Sequence, residues 1–324
     1  MCLGILFSGQ LAEYLFHTRE FYWLIILALM VLPLNIINSI FLGVLNGLGD
    51  YNKFFLANLF AIASSVISMS GLVYFLGLKG ALIAAALNNA IAGFWLIVII
   101  LKKPWFKFKY WYGTAPRQQI NEMSKYFAMG IIGALTGPIS LIAVRTILTN
   151  DFSLEYSGYW QAVSKISEAY LAVLTTAMTV YYFPQTAAAK TRAEYLSILK
   201  VGARLVVPLS LAMAVTIFYL KDFIISFLFT KDFQRASGLF FYQNIGDFFR
   251  ICSWLFATIL LAKGYFVINA TLEITVSILY PLLVKLLTNT HGFEGVSLAY
   301  CSTYFIYLIA TALVYLWHIK NKVD

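Results

Sequence analysis

Seven polar or charged side chains stand inside stretches that are otherwise apolar: Arg145, Gln161, Lys165, Glu168, Asp247, Arg250 and Glu273. A charge near the centre of a bilayer costs about 2.5–3.5 kcal/mol on insertion scales, so each needs a partner, water or a task. Gln161, Lys165 and Glu168, extended by Thr175 and Thr179, fall on one helical face, with Lys165 and Glu168 at i,i+3. Gln243, Asp247 and Arg250, followed by Trp254, repeat the device, and Glu273 shares a stripe with Asn269 and Ser277. Arg145 has no acid one turn away, and Lys165 sits too deep in its segment to reach water comfortably by snorkelling. One chemistry is a water-filled cleft: Arg145, Lys165, Gln161 and Arg250 replace the hydration of an anionic headgroup, while Glu168, Asp247 and Glu273 couple ions or protons. The competing chemistry is plain charge pairing between helices, strongest for Asp247 and Arg250, where the partner is local.

The elements that carry these residues follow from composition. Of 324 residues 61% are hydrophobic and 11% charged, against roughly 25% charged in soluble domains. That excludes a soluble enzyme, a nucleic-acid binder and a disordered chain, and defines an all-α polytopic membrane protein. Cutting at the polar breaks gives spans near 21–45, 54–76, 80–101, 127–149, 156–183, 202–220, 238–262, 266–288 and 294–317. Leu3 to Phe16 is too short to cross untilted and reads as the end of a helix. The N-terminus has no basic n-region, so no cleaved signal is expected. Cys2, Cys252, Cys301, His17, His291 and His318 are scattered singly, so neither a metal nor any other cofactor is implied.

Loop charges orient the spans. The 102–125 loop carries Lys102, Lys103, Lys107, Lys109, Arg117 and Lys125 against Glu122, and 185–204 carries Lys190, Arg192, Lys200 and Arg204 against Glu194. The loops between hold Asp151 and Glu155, or the balanced set Lys221, Asp222, Lys231, Asp232 and Arg235. The basic loops are therefore cytoplasmic, and the tail with His318, Lys320 and Lys322 is on the same side. Residues 104–112 interleave bases with aromatics, which suits either an aromatic belt or a site for anionic headgroups. Asn35, Asn38, Asn58, Asn88 and Asn89 suit hydrogen bonds between helices, and Pro33, Pro138, Pro208 and Pro281 suit bends. Gly133 and Gly137 would let span 127–149 approach a neighbour or flex.

An internal repeat organises the chain. An offset of 215 pairs Gly77 with Gly292, Gly80 with Gly295, Ala84 with Ala299, Gly49 with Gly264, Phe41 with Phe256 and Leu45 with Leu260. Shared across three helices and in the same sense, it predicts two parallel homologous halves. Carried upstream, the offset predicts about ninety further residues, two helices and part of a third, in a twelve-helix parent. The expected domains are an incomplete N-terminal helical lobe at 1–102, a cytoplasmic linker at 103–125 and a C-terminal six-helix lobe at 126–324.

From about residue 40 onward the chain resembles the Wzx-type O-antigen translocases, including the lipid III flippases of enterobacterial common antigen. The likeness rests on Lys109-Tyr110-Trp111-Tyr112-Gly113, residues 80–88, the block from Trp160 through Glu168 to Tyr181-Tyr182-Phe183-Pro184, Leu228-Phe229-Thr230, Gly246-Asp247, Ser253-Trp254-Leu255 and Gly292 through Tyr300. The resemblance implies the multidrug/oligosaccharidyl-lipid/polysaccharide exporter fold, two six-helix bundles around a cleft, here with the first two to three helices missing. It implies the flipping of undecaprenyl-pyrophosphate-linked oligosaccharide to the periplasmic leaflet of the bacterial inner membrane by alternating access. Membrane lipids are implied partners, together with polymerase and chain-length proteins of the glycan pathway; nucleic acid is not. Arg145, Lys165 and Glu168 inherit a cleft role from this likeness, and Asp247 and Arg250 a place in the body of the C-terminal lobe.

Three alternatives stay open. A multidrug or cation antiporter of the same fold would favour acids and aromatics in its cleft. A glycan polymerase or ligase would need a sizeable outer loop and a nucleophile–base pair, neither of which is visible. A non-functional truncated copy is the third.

Overall fold

The computed structural model describes residues 2–16, 18–101, 103, 105–107, 113 and 116–322. Among them there is no strand; the chain is built of helices joined by short turns. It divides into two compact units, Met1–Thr114 and Ala115–Asp324. Among the described residues six helical stretches are long and apolar enough to cross a membrane, and two of them, Asn52–Ile100 and Phe266–Trp317, have the length of two crossings each. The protein is a multi-pass membrane protein.

The N-terminal unit opens with α1 (Cys2–Leu6) and α2 (Ser8–Phe16), so the stretch expected to finish one helix is broken at Phe7. Then come α3 (Tyr22–Gly47) and α4 (Tyr51–Ile100), which pack along each other. Their core is Phe41, Leu45, Ala57, Leu96 and Ile100, with Trp105 and Phe106 folded over it. The α4 helix is two spans in sequence terms: Gly77 interrupts it at φ 56° and ψ −131°, a conformation open essentially to glycine. Of the aromatic loop, Lys102, Pro104 and residues 108–112 lie outside the described residues, as do His17 and the side chains of Cys2, Asn89, Glu122, Lys125, His318, Lys320 and Lys322.

In the C-terminal unit, α5 (Arg117–Asp151) begins about ten residues before the expected span, because its first turns are polar and need no lipid. After it come α6 (Leu154–Ala177), a π-turn (Met178–Tyr182) and α7 (Phe183–Ala188), where one unbroken span had been expected. The α8 helix (Arg192–Leu228) is far longer than 202–220. Thr191 and Glu194 form a reciprocal capping box that starts it early, each satisfying a backbone donor of the other. The unit closes with α9 (Phe240–Ala262), α10 (Phe266–His291) and α11 (Gly295–Lys322).

The repeat is written into the backbone. The four glycines with positive φ are Gly49, Gly77, Gly264 and Gly292, two pairs each 215 positions apart. At the first pair the following amide reaches back five residues: Asp50 N donates to Leu45 O at 3.0 Å and Tyr265 N to Leu260 O at 3.1 Å. This is the Schellman closure of a helix, with glycine in the left-handed position it demands. Gly80 and Gly295 also match: a Cβ on either would collide with a backbone carbonyl, Leu72 O and Leu287 O, again 215 apart. Thus α3 corresponds to α9, the first half of α4 to α10, and its second half to α11.

Candidate functional site

The C-terminal unit encloses a polar hollow of about 310 Å³. Its walls come from five helices: Gly133, Thr136, Gly137 and Ser140 of α5; Trp160, Ser164, Ser167 and Glu168 of α6; Gln243, Arg250 and Trp254 of α9; Glu273, Ser277 and Tyr280 of α10; and Tyr300, Tyr304 and Tyr307 of α11. Gly133 and Gly137 do not serve a close helix contact, as the sequence suggested: a Cβ on either meets nothing within 4 Å. They make room instead. Beside them, the buried hydroxyls of Thr136 and Ser140 have no hydrogen-bond partner among the described residues.

Behind the wall lies a buried network. Asp247 is 1% exposed, and its carboxylate accepts hydrogen bonds from the hydroxyls of Tyr170 and, at 2.7 Å, Tyr300. Arg250 Nη1 donates to the same Tyr300 oxygen at 3.2 Å, and its guanidinium lies 5.3 Å from the centre of the Tyr304 ring. Such a cation–π contact is stronger where water is excluded. The local Asp247–Arg250 pair read from the sequence is therefore not a direct ion pair; the Tyr300 hydroxyl bridges it. Gly246 makes this approach feasible, since a Cβ there would run into the Tyr300 ring. One step away, Trp160 Nε1 donates to the Tyr280 hydroxyl at 3.2 Å, fastening α6 to α10.

A second, smaller hollow of about 120 Å³ adjoins the first, and Trp160, Ser164 and Glu168 line both. Arg145, Gln161 and Lys165 line this one. Lys165 is not the deeply placed free cation expected: its side chain is 65% exposed, and Nζ meets Glu168 Oε2 at 2.5 Å. Arg145 is exposed and, like Glu273, has no ion pair or side-chain hydrogen bond among the described residues. The structure thus brings Arg145, Gln161, Lys165 and Glu168 together on one side, and Glu168, Arg250 and Glu273 on the other. Asp247 stands sealed behind tyrosines.

Residue-type reasoning missed the tyrosines. Tyr300, Tyr304 and Tyr307 recur at i, i+4 and i+7 on α11, a stripe legible in the sequence but indistinguishable there from an aromatic packing face. Tyr170 carried no such signal.

Fold and sequence place the chain by comparison. It has the two-lobe fold of the MATE exporters: a MATE crystal structure in complex with MaD3S matches with a TM-score of 0.81 at 14% identity, covering 98% of this chain and 74% of that one. An inward-facing multidrug resistance MATE family transporter of the MOP superfamily matches with a TM-score of 0.79 at 12% identity, covering 98% and 76%. In sequence, the chain is similar to the lipid III flippase of Escherichia coli (strain K12), 27% identical over 240 residues, and equally to that of Shigella flexneri. Those matches cover 74% of this chain and 58% of the relatives' length. No family model matches. Taken together, these likenesses support the exporter superfamily without singling out a member.

Proposed function

We propose that the chain is a flippase for a polyprenyl-pyrophosphate-linked oligosaccharide, carrying it from the cytoplasmic to the periplasmic leaflet of a bacterial inner membrane. The observation that carries this reading is the hollow wall itself: Arg250, half-open to the cavity and anchored through Tyr300, stands with Glu168, Glu273 and unpartnered hydroxyls around a space lined by tryptophan and tyrosine. The similarity to the lipid III flippases supports the substrate class.

A pyrophosphate with sugars cannot enter hydrocarbon unaided, because desolvating its charge is prohibitive. Cations replace the lost hydration: Arg250 in the larger hollow, Arg145 and the exchangeable Lys165 of the Lys165–Glu168 pair in the smaller. Trp160, Trp254 and Tyr304 offer apolar faces to sugar rings, and Gln161, Gln243, Thr136 and Ser140 offer hydrogen bonds to hydroxyls. The basic loops at 102–125 and 185–204 then face the cytoplasm, together with the C-terminus, and alternating access moves the head while the prenyl chain stays in lipid. Glu168, Asp247 and Glu273 supply the carboxylates for coupling or charge pairing. Polymerase and chain-length proteins of the glycan pathway are proposed partners.

Translocation of a fluorescent polyprenyl-pyrophosphate glycan in vesicles holding the purified chain tests this. Arg250→Ala removes charge-assisted contacts and should slow translocation about tenfold. Gly137→Leu should block it outright by filling the hollow, with both variants at normal membrane levels. Wild-type rates in both would refute the assignment.

A second reading is export of an organic cation. It is favoured by the tyrosine-rich wall with Glu168 and Glu273, since aromatic faces and acids bind cations. Dye efflux by the chain, with no glycolipid movement, would select it.

A further inference from the structure

Down the same α6 helix from the polar hollow, the π-turn at Met178–Tyr182 opens a second space of a different kind. It is an apolar groove of about 720 Å³ between this turn and α8. Tyr181 and Met178 face Val201, Leu205 and Leu209 across it. Tyr181 and Leu205 remain 70% and 67% exposed, so the groove is open along its length. Its floor is fixed: the Tyr182 hydroxyl donates to Leu255 O at 3.1 Å, and Gly202 lies so close that a Cβ would come within 2.6 Å of the Tyr182 ring. π-turns inside helices recur at functional sites because they widen a helix locally.

The groove also has a charged side. Arg204 lines it, and Lys200 stands one turn earlier on the same face of α8, toward the basic 189–191 turn. Both are exposed, and neither has an ion pair or side-chain hydrogen bond among the described residues. An open apolar lane beside two cations without ion pairs among the described residues is complementary to a lipid with a single long chain and two adjacent negative charges.

We propose that this groove seats the prenyl chain of the substrate before transport, with its pyrophosphate on Arg204 and Lys200; the proposal rests on the flippase reading above. A lane between two helices holds one chain, whereas a phospholipid must place at least two. Two cations one turn apart match two phosphates better than the single charge of phosphatidylglycerol. The path is continuous: from Met178 to Glu168 is ten residues of helix-forming chain, about 15 Å, or roughly half the hydrocarbon thickness. A headgroup leaving the cytoplasmic end of the groove therefore reaches the polar hollow by following α6, with the chain held beside its route.

The test uses the full chain in lipid nanodiscs, with benzoylphenylalanine incorporated at Leu209 as a photoreactive reporter and undecaprenyl pyrophosphate, without sugars, as the probe. Labelling should saturate, fall at least fivefold with Leu205→Trp, which fills the lane from its lipid side, and weaken about tenfold in affinity with Arg204→Gln. Tenfold excess phosphatidylglycerol should not displace the probe. Displacement by phosphatidylglycerol, labelling that never saturates, or indifference to both substitutions would overturn the groove. Parallel translocation assays separate the two ideas. If Leu205→Trp moves glycolipid at the wild-type rate, the groove falls and the flippase reading stands. If the probe labels as expected but no glycolipid crosses, the flippase reading falls and takes the pre-transport role with it, while the groove stands as a polyprenyl-pyrophosphate site.

Discussion

The two repeats share their hinges and differ in what the hinges hold. Gly49 and Gly77 in the N-terminal unit, and Gly264 and Gly292 in the C-terminal one, impose the same backbone at the same spacing. Where the C-terminal repeat carries Asp247, Arg250, Glu273, Tyr280 and Tyr300, the N-terminal repeat carries Leu32, Asn35, Asn58, Ser65 and Ala85. Every charge of the network is replaced by an uncharged residue. The Asn58 amide donates to Phe54 O within its own helix and Ser65 donates to Asn88, while the buried Asn35 Oδ1 has no hydrogen-bond partner among the described residues. Duplicated backbone geometry is therefore compatible with opposite chemistry. The hinge glycines are required by their positive φ, while the interior is free to diverge once its buried charges are gone.

The largest expected effect comes from giving the C-terminal repeat its counterpart's residues. Asp247→Leu strips the acceptor from two buried tyrosine hydroxyls and removes the carboxylate that Tyr300 bridges to Arg250. It should cost on the order of 3 kcal/mol in thermal or denaturant unfolding of the detergent-solubilised chain. Adding Arg250→Asn, to reproduce the Leu32/Asn35 pair, should recover much of that stability, because an unpaired charge costs more than no charge. Translocation should stay lost. A double variant that unfolds as readily as Asp247→Leu alone would mean that the network is held by packing rather than charge, and the contrast between repeats would shrink to shape.

A smaller and symmetric effect is expected at the hinges. Gly77→Ala and Gly292→Ala each force a Cβ into a left-handed conformation, at roughly 1–2 kcal/mol. Because φ is 56° at one and 60° at the other, and a Cβ on either would meet nothing within 4 Å, the two losses should be closely similar. Unequal losses would show that the repeats have diverged in backbone strain as well as in chemistry.

Much of this pattern was legible in the sequence, for identifiable reasons. Span positions follow from hydropathy, and the repeat follows from glycines whose conformations no other residue adopts readily, so Gly77/Gly292 and Gly49/Gly264 announce themselves. Residue types also singled out Arg250, Glu168 and Glu273 as charges in apolar runs, and all three line the polar hollow. Partnership was not legible. That Asp247 and Arg250 meet through Tyr300, or that Lys165 folds back onto Glu168, depends on rotamers and on which helix faces which. Nor was the π-turn at 178–182 visible, because an extra residue in a helical turn leaves hydropathy unchanged.

The smallest expected effect sharpens the comparison at the first hinge. In the N-terminal unit the turn after Gly49 carries Asp50, whose carboxylate accepts a hydrogen bond from Lys103 and so ties the α3–α4 turn to the segment bearing Trp105 and Phe106. That bond, with the Lys103 charge, holds the Asp50 carboxyl below its ordinary value near 3.8, and the Asp50 bond in turn raises Lys103 above its ordinary 10.5. A depressed carboxyl contributes stability above its unfolded value and loses it as pH falls through its folded one; a raised ammonium contributes below its unfolded value and loses it as pH climbs through its folded one. The turn should therefore be steady across neutral pH, loosening below about pH 4 and again above about pH 10.5. At the matching place the C-terminal unit has Tyr265, which carries no carboxylate, and Lys263 lies over the Tyr195 ring. Hydrogen exchange at pH 3.5 should accelerate at residues 48–54 relative to 263–269, after correction for intrinsic rates, and Lys103→Met should remove the difference by speeding the first turn at neutral pH. Equal acid responses in the two turns would show that the Asp50–Lys103 contact adds nothing to a hinge its glycine already closes.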